Sequence, residues 1–127
     1  MLIIKEERGW QGHFICRCDY HRNTLIFDRN GSKRYVISTV GAMRGIDGKV
    51  DTIGYDRYYE TYVFEAKLDG AYWEADVSKQ IYTGDYLKWA IDTEEFNGYK
   101  GTIDNLADMM HDAMVLEIEN QIRRGEL

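Results

Sequence analysis

The chain has 127 residues, with 16 Lys and Arg against 22 Asp and Glu, a formal net charge of -6, and no proline. That length suits one compact domain over residues 1–127 with a core of its own, and 44% hydrophobic with 13% aromatic content excludes intrinsic disorder. No apolar run approaches the roughly 18 residues of a membrane span, and two cysteines exclude a disulfide framework. In chain order, Ile3 and Ile4 open a short first strand in an N-terminus without the pattern of a secretory signal, which sets the expectation of a cytoplasmic protein. Gly9 and Gly12 flank Trp10 before a strand-like run at His13–Cys18. Thr24–Asp28 and Arg34–Val40 form a predicted hairpin across Asn30-Gly31, a pair that takes positive φ readily. Gly41 to Gly54 carries four glycines and reads as a loop. Tyr58–Lys67 and Ala71–Val77 then pair around Asp69-Gly70, both arms rich in the aromatic and β-branched residues that strands favour.

The tail changes period. A short helix is expected at Asp85–Ile91. From Thr102 on, Ile103, Leu106, Met110, Met114, Ile118 and Ile122 recur at steps of three and four, with Gly125 placed to stop a helix and Thr102 or Asp104 placed to cap it. A second stripe, Met109, Ala113 and Leu116, widens the apolar surface, as in a helix buried on two sides. In so small a domain the second side is expected to meet another copy. The expectation is therefore α+β: an N-terminal antiparallel β-sheet built from hairpins over residues 1–82, followed by C-terminal helices over 83–127 that mediate a homo-oligomer, dimer or higher.

An acidic total disfavours DNA or RNA polymers, whose binding rewards basic surfaces. The charge is unevenly spread, however. Residues 1–50 hold nine Lys and Arg against five Asp and Glu, and residues 51–127 hold seven against seventeen. Such a split fits a basic pocket for a small anion, attraction between neighbouring subunits, or ordinary solvated charge. His13, Cys16, Cys18 and His21 have a zinc-like spacing, but in a strand Cys16 and Cys18 share one face while His13 faces away, so no metal site is expected. Ser32, Ser38 and Ser78 lack the surroundings of a nucleophile, and neither phosphate-cradling glycine motif occurs. The expectation is a protein that is not an enzyme and needs no cofactor. Ten Tyr, three Trp and four Phe accompany Arg22, Arg29, Arg44 and Arg57, all in or near expected loops. Stacking rings and phosphate-pairing guanidinium groups make small nucleotides an apt ligand, although Tyr-rich strands also simply cover small cores.

Several blocks carry a resemblance: GWQGHFIC at Gly9–Cys16, RNTLI at Arg22–Ile26, VISTVGAM at Val36–Met43, TIGYDRYYETYVF at Thr52–Phe64, YWEADVSKQI at Tyr72–Ile81 and MHDAMVLEI at Met110–Ile118. Over most of its length the chain resembles small phage-encoded proteins of the first-described anti-Thoeris sponge family. Members of that family sequester the cyclic ADP-ribose isomers made by bacterial TIR-domain defence proteins, and some also hold cyclic oligonucleotides at a separate site. The resemblance implies an anti-defence protein acting in the cytoplasm of the infected host, which binds a small cyclic nucleotide signal without degrading it. It further implies an aromatic and an amide ahead of the last helix, where the chain offers Trp89, Phe96, Asn97 and Asn105, with Asn97 and Asn105 as alternatives. Phosphate-reaching arginines are then sought at Arg22, Arg29 and Arg57 and, at the helix end, Arg123 and Arg124. The competing expectation is a phage protein that inhibits a host defence protein by direct contact, its acidic half imitating nucleic-acid charge.

Overall fold

The computed structural model describes residues 1–8, 18–44, 50–51, 53, 58–83 and 100–127. Within them, six strands and one helix follow in order: β1 (Ile3–Glu7), β2 (Cys18–Asp28), β3 (Arg34–Arg44), β4 (Val50–Asp51), β5 (Tyr59–Asp69), β6 (Tyr72–Thr83) and α1 (Lys100–Arg123). The strands make one antiparallel sheet in the order β1-β2-β3-β5-β6, with β4 paired to β3. This is the expected α+β arrangement, with one described C-terminal helix. The expected helix at 85–91 lies outside the described residues, and no described helix is long and apolar enough to cross a membrane.

Both expected hairpins form, by different turns. Gly70 takes φ 60° in the tight connection between β5 and β6, as Asp69-Gly70 suggests. The β2–β3 connection is instead the longer loop 29–33. Asp28 closes it, accepting the Gly31 N–H on its carbonyl at 2.9 Å and the Asn30 N–H on Oδ1 at 3.2 Å. The glycine-rich loop expected from Gly41 is also corrected, since β3 continues through Gly41 to Arg44 and pairs there with β4. Gly41 sits opposite the buried ring of Tyr59 at φ 155°, and a Cβ there would strike that ring and the Tyr58 carbonyl.

Alternation along β2 separates the two faces of the sheet. Tyr20, Arg22, Thr24 and Ile26 face α1, whereas Leu25 and Phe27 face away. On the helix side Ile26, Tyr35, Ile37 and Val63 pack with Met114, Ile118 and Ile122. Each large side chain buried in this way contributes about 1.5–3 kcal/mol. α1 begins at Lys100, so Thr102 and Asp104 lie inside its first turns and do not cap it. It ends as Gly125 predicts. That residue takes φ 73°, its N–H reaches the Ile122 carbonyl at 3.1 Å, and the Glu126 N–H reaches the Gln121 carbonyl at 2.9 Å, which is the paired bonding of a Schellman cap. The second apolar stripe faces outward: Met109 and Leu116 are each 56% exposed.

On the far side of the sheet, Leu25, Phe27 and Val36 pack against Ile4, Ala66, Trp73 and Ala75. β6 covers them with the residues next to the Gly70 turn, and beyond Ala75 its register jumps. Between the pairs Phe64↔Gln80 and Ala66↔Ala75, β5 advances two residues while β6 advances five. Asp76 shapes the excess, its Oδ1 accepting from the Ser78 N–H at 3.1 Å and from the Ser78 hydroxyl at 2.6 Å.

Candidate functional site

Two polar assemblies occupy the two faces of the sheet. The one under α1 centres on His111, which is fully buried and hydrogen-bonded at both ring nitrogens: Nε2 lies 2.7 Å from Thr24 Oγ1 and Nδ1 2.8 Å from Thr39 Oγ1. Thr39 in turn lies 2.6 Å from the Thr61 hydroxyl, and Thr24 donates to Glu7 Oε2 at 3.0 Å. Glu7 is held below the usual carboxylate range. Its burial opposes ionisation, but hydrogen bonds from Arg22 and Thr24 and the Arg22 charge outweigh that burial. An ionised carboxylate only accepts, so the Thr24 proton points at Glu7 and His111 must donate through Nε2. Burial and the nearby Arg22 charge lower the His111 pKa to about 4, against the pull of Glu7, Asp112 and Asp108, so the ring is neutral. Its Nδ1 therefore accepts from Thr39, which accepts from Thr61. The chain Thr61, Thr39, His111, Thr24, Glu7 runs in one direction only.

Arg22 closes that assembly. Its Nε and Nη2 donate to Glu7 Oε1 and Oε2 at 2.9 and 3.0 Å, Nη2 lies 3.0 Å from Asp112 and Nη1 3.4 Å from Asp108, while the Tyr20 hydroxyl also donates to Asp108. Hydrogen bonding to Glu7 is the largest cause that raises the Arg22 pKa, and burial with the Asp108 bond raises that of Tyr20. Of the residues expected to bind a ligand, Arg22 is thus engaged with three carboxylates. Arg29 is exposed on the β2–β3 loop, with its N–H on the Leu2 carbonyl at 2.9 Å. Arg123 pairs with Glu119 at 3.2 Å and Arg124 with Glu126 at 2.8 Å. Asp108, beside Arg22, and Arg123 are fifteen positions apart on α1, or about 22 Å, so the structure does not bring these arginines together. Arg57, Trp89, Phe96 and Asn97 lie outside the described residues, and Asn105 is placed only as a position in the first turns of α1.

The other face holds what the sequence reading missed. A recess of about 440 Å³ is lined by Glu6, Arg8, Leu25, Arg34, Tyr72 and Trp73, together with Ala71. The Arg34 guanidinium lies 3.7 Å from the Phe27 ring centroid and 4.7 Å from that of Trp73. Arg8 is held by neutral acceptors: Nε and Nη2 donate to Asn23 Oδ1 at 3.0 and 2.8 Å, and Nη1 donates to the Trp73 carbonyl. Burial lowers the Arg8 pKa, while the more distant charges of Glu6 and Glu74 raise it. Neither Arg8 nor Arg34 forms an ion pair among the described residues. Volume, two unpaired guanidinium groups and exposed aromatic surface are what a small anionic planar ligand requires. Part of the signal was in the sequence: Phe27 and Arg34 stand directly opposite each other across the first hairpin. Trp73 joins them through the β5–β6 pairing next to the Gly70 turn, where it stands opposite Leu68 and Ala75 stands opposite Ala66.

Among the described residues no cluster of three or more His, Cys, Asp or Glu gathers to hold a metal ion. Comparison of the chain with protein-family models, curated proteins and solved structures returned no match.

Proposed function

We propose that the chain is a phage anti-defence protein that binds a small cyclic nucleotide signal and holds it unchanged, acting in the host cytoplasm as a homo-oligomer. The observation that carries this reading is the recess in which Arg8 and Arg34, without carboxylate partners among the described residues, stand beside Tyr72 and Trp73. Guanidinium groups pair with phosphates, and aromatic faces stack on bases, so the recess offers both halves of a nucleotide their complements. Resemblance to the anti-Thoeris sponge family supports the same ligand class. The outward Met109 and Leu116 supply the apolar face that assembly through α1 needs. A sponge gains from equilibrium affinity and not from transition-state complementarity. To test this, the protein is incubated with cyclic ADP-ribose isomers and cyclic oligonucleotides, desalted and denatured, and the released molecules are weighed by mass spectrometry. Intact ligand in stoichiometric amount is expected. A cleaved product or an empty protein overturns the reading.

A further inference from the structure

Asn23 is 1% exposed, yet the only hydrogen bonds of its side chain among the described residues are those that Oδ1 accepts from Arg8, and its Nδ2 has no partner among them. Leaving a buried amide nitrogen unsatisfied costs about 1–3 kcal/mol. An aspartate of the same size would remove that orphan donor and neutralise Arg8 at once. The amide instead holds the guanidinium fork and leaves its positive charge in place. Three of the five N–H groups of Arg8 are engaged, by Asn23 and the Trp73 carbonyl, which leaves two. Arg34 is positioned equally without cancellation, stacked between Phe27 and Trp73. Glu6 lines the recess and Glu74 stands near, but neither reaches ion-pair distance of Arg8 or Arg34.

From this arrangement we infer that the Arg8–Arg34 recess is a phosphoryl-anion subsite and that Asn23 is its positioning residue, orienting Arg8 through a neutral acceptor so that the charge remains available to the ligand. The inference rests on the reading of the recess as the nucleotide site and specifies which part of the ligand is gripped there. Adenosine, lacking the phosphate, gains only stacking on Trp73 and Tyr72. Inorganic phosphate gains only the guanidinium contacts, and AMP gains both.

The test is calorimetric titration of the intact protein with AMP, inorganic phosphate and adenosine, alongside thermal melts. AMP and phosphate are expected to bind saturably and to raise the melting temperature, with AMP tighter than phosphate and adenosine much weaker than AMP. Asn23→Asp is expected to melt no lower than the parent, because Arg8 then has a salt-bridge partner, and to lose AMP affinity by about tenfold or more. Glu6→Gln, an exposed change that leaves the core untouched, is expected to tighten AMP by about two- to threefold through loss of a nearby like charge. Adenosine binding as well as AMP, unchanged AMP affinity in a folded Asn23→Asp, or no gain in Glu6→Gln would each overturn the inference. Its fate separates from that of the sponge reading. Full retention of a cyclic nucleotide by Asn23→Asp defeats the inference alone, whereas Asn23-dependent AMP binding without retention of any cyclic nucleotide defeats the sponge reading alone.

Discussion

The two faces of the sheet treat arginine in opposite ways. Under α1, Arg22 is tied to Glu7, Asp112 and Asp108, and its charge is consumed in joining β1, β2 and the helix. Across the sheet, Arg8 and Arg34 are fixed by an amide, a carbonyl and two rings, all of them uncharged. Both arrangements immobilise a guanidinium, but only the second leaves its charge without a carboxylate partner among the described residues. In a chain of net charge -6, keeping two cations clear of the described carboxylates requires specific neutral partners, which Asn23, the Trp73 carbonyl and the rings of Phe27 and Trp73 supply.

The largest test of the contrast lies on α1 itself. Met114 is fully buried against the sheet and Met109 is exposed. Met114→Glu puts an unpaired charge into the core and is expected to abolish cooperative unfolding by circular dichroism, a loss of about 4 kcal/mol or more. Met109→Glu should leave the melt unchanged and give a smaller species on gel filtration. An unaltered elution volume would overturn the proposal that the chain assembles through α1. Next comes the pair Arg22→Ala and Arg34→Ala. The first strips charged hydrogen bonds from Glu7 and Asp112 and should cost about 1.5–3 kcal/mol in urea unfolding. The second removes stacking worth about 0.5–1 kcal/mol and should be felt mainly as lost AMP affinity. Equal stability losses would erase the distinction between the faces.

The pH dependence tests the helix-covered face alone. His111 has a folded pKa lowered to about 4 from an ordinary 6.5, so between those values the unfolded chain binds the proton that the folded chain refuses. Stability should therefore fall as pH drops from about 6.5 towards 4, by at most about 1.4 kcal/mol per pH unit from this group. Glu7, held below 4.5, adds its own loss as pH falls further through its folded value. Urea midpoints from pH 7 to 4 measure the slope, and His111→Gln should flatten the upper part of it.

Local signals in the sequence located the elements. Ile118 and Ile122 with Gly125 define the end of α1, and Asp69-Gly70 defines the second hairpin, because caps and turns depend on neighbours in the chain. Asn30-Gly31 gave the correct hairpin with a different turn, since the Asp28 side chain competes for the loop's N–H groups. The site was far less legible. Whether an arginine is neutralised depends on partners such as Asp108 and Asp112, 86 and 90 positions beyond Arg22, and no local pattern reports them. Arg8 appeared in the sequence as one more charge in a mixed N-terminal run, and its role follows only from the approach of Trp73.

That approach has a consequence for how copies of the chain meet. β1 and β6 end the sheet on opposite sides, and a bare sheet margin invites the margin of another molecule to pair with it. β6 carries an irregular stretch around Asp76, and its Trp73 carbonyl receives the side chain of Arg8, which follows the end of β1. An irregular margin with one carbonyl already engaged is a poor template for an incoming strand. The irregular stretch and the engaged carbonyl thus weigh against strand-by-strand aggregation at β6.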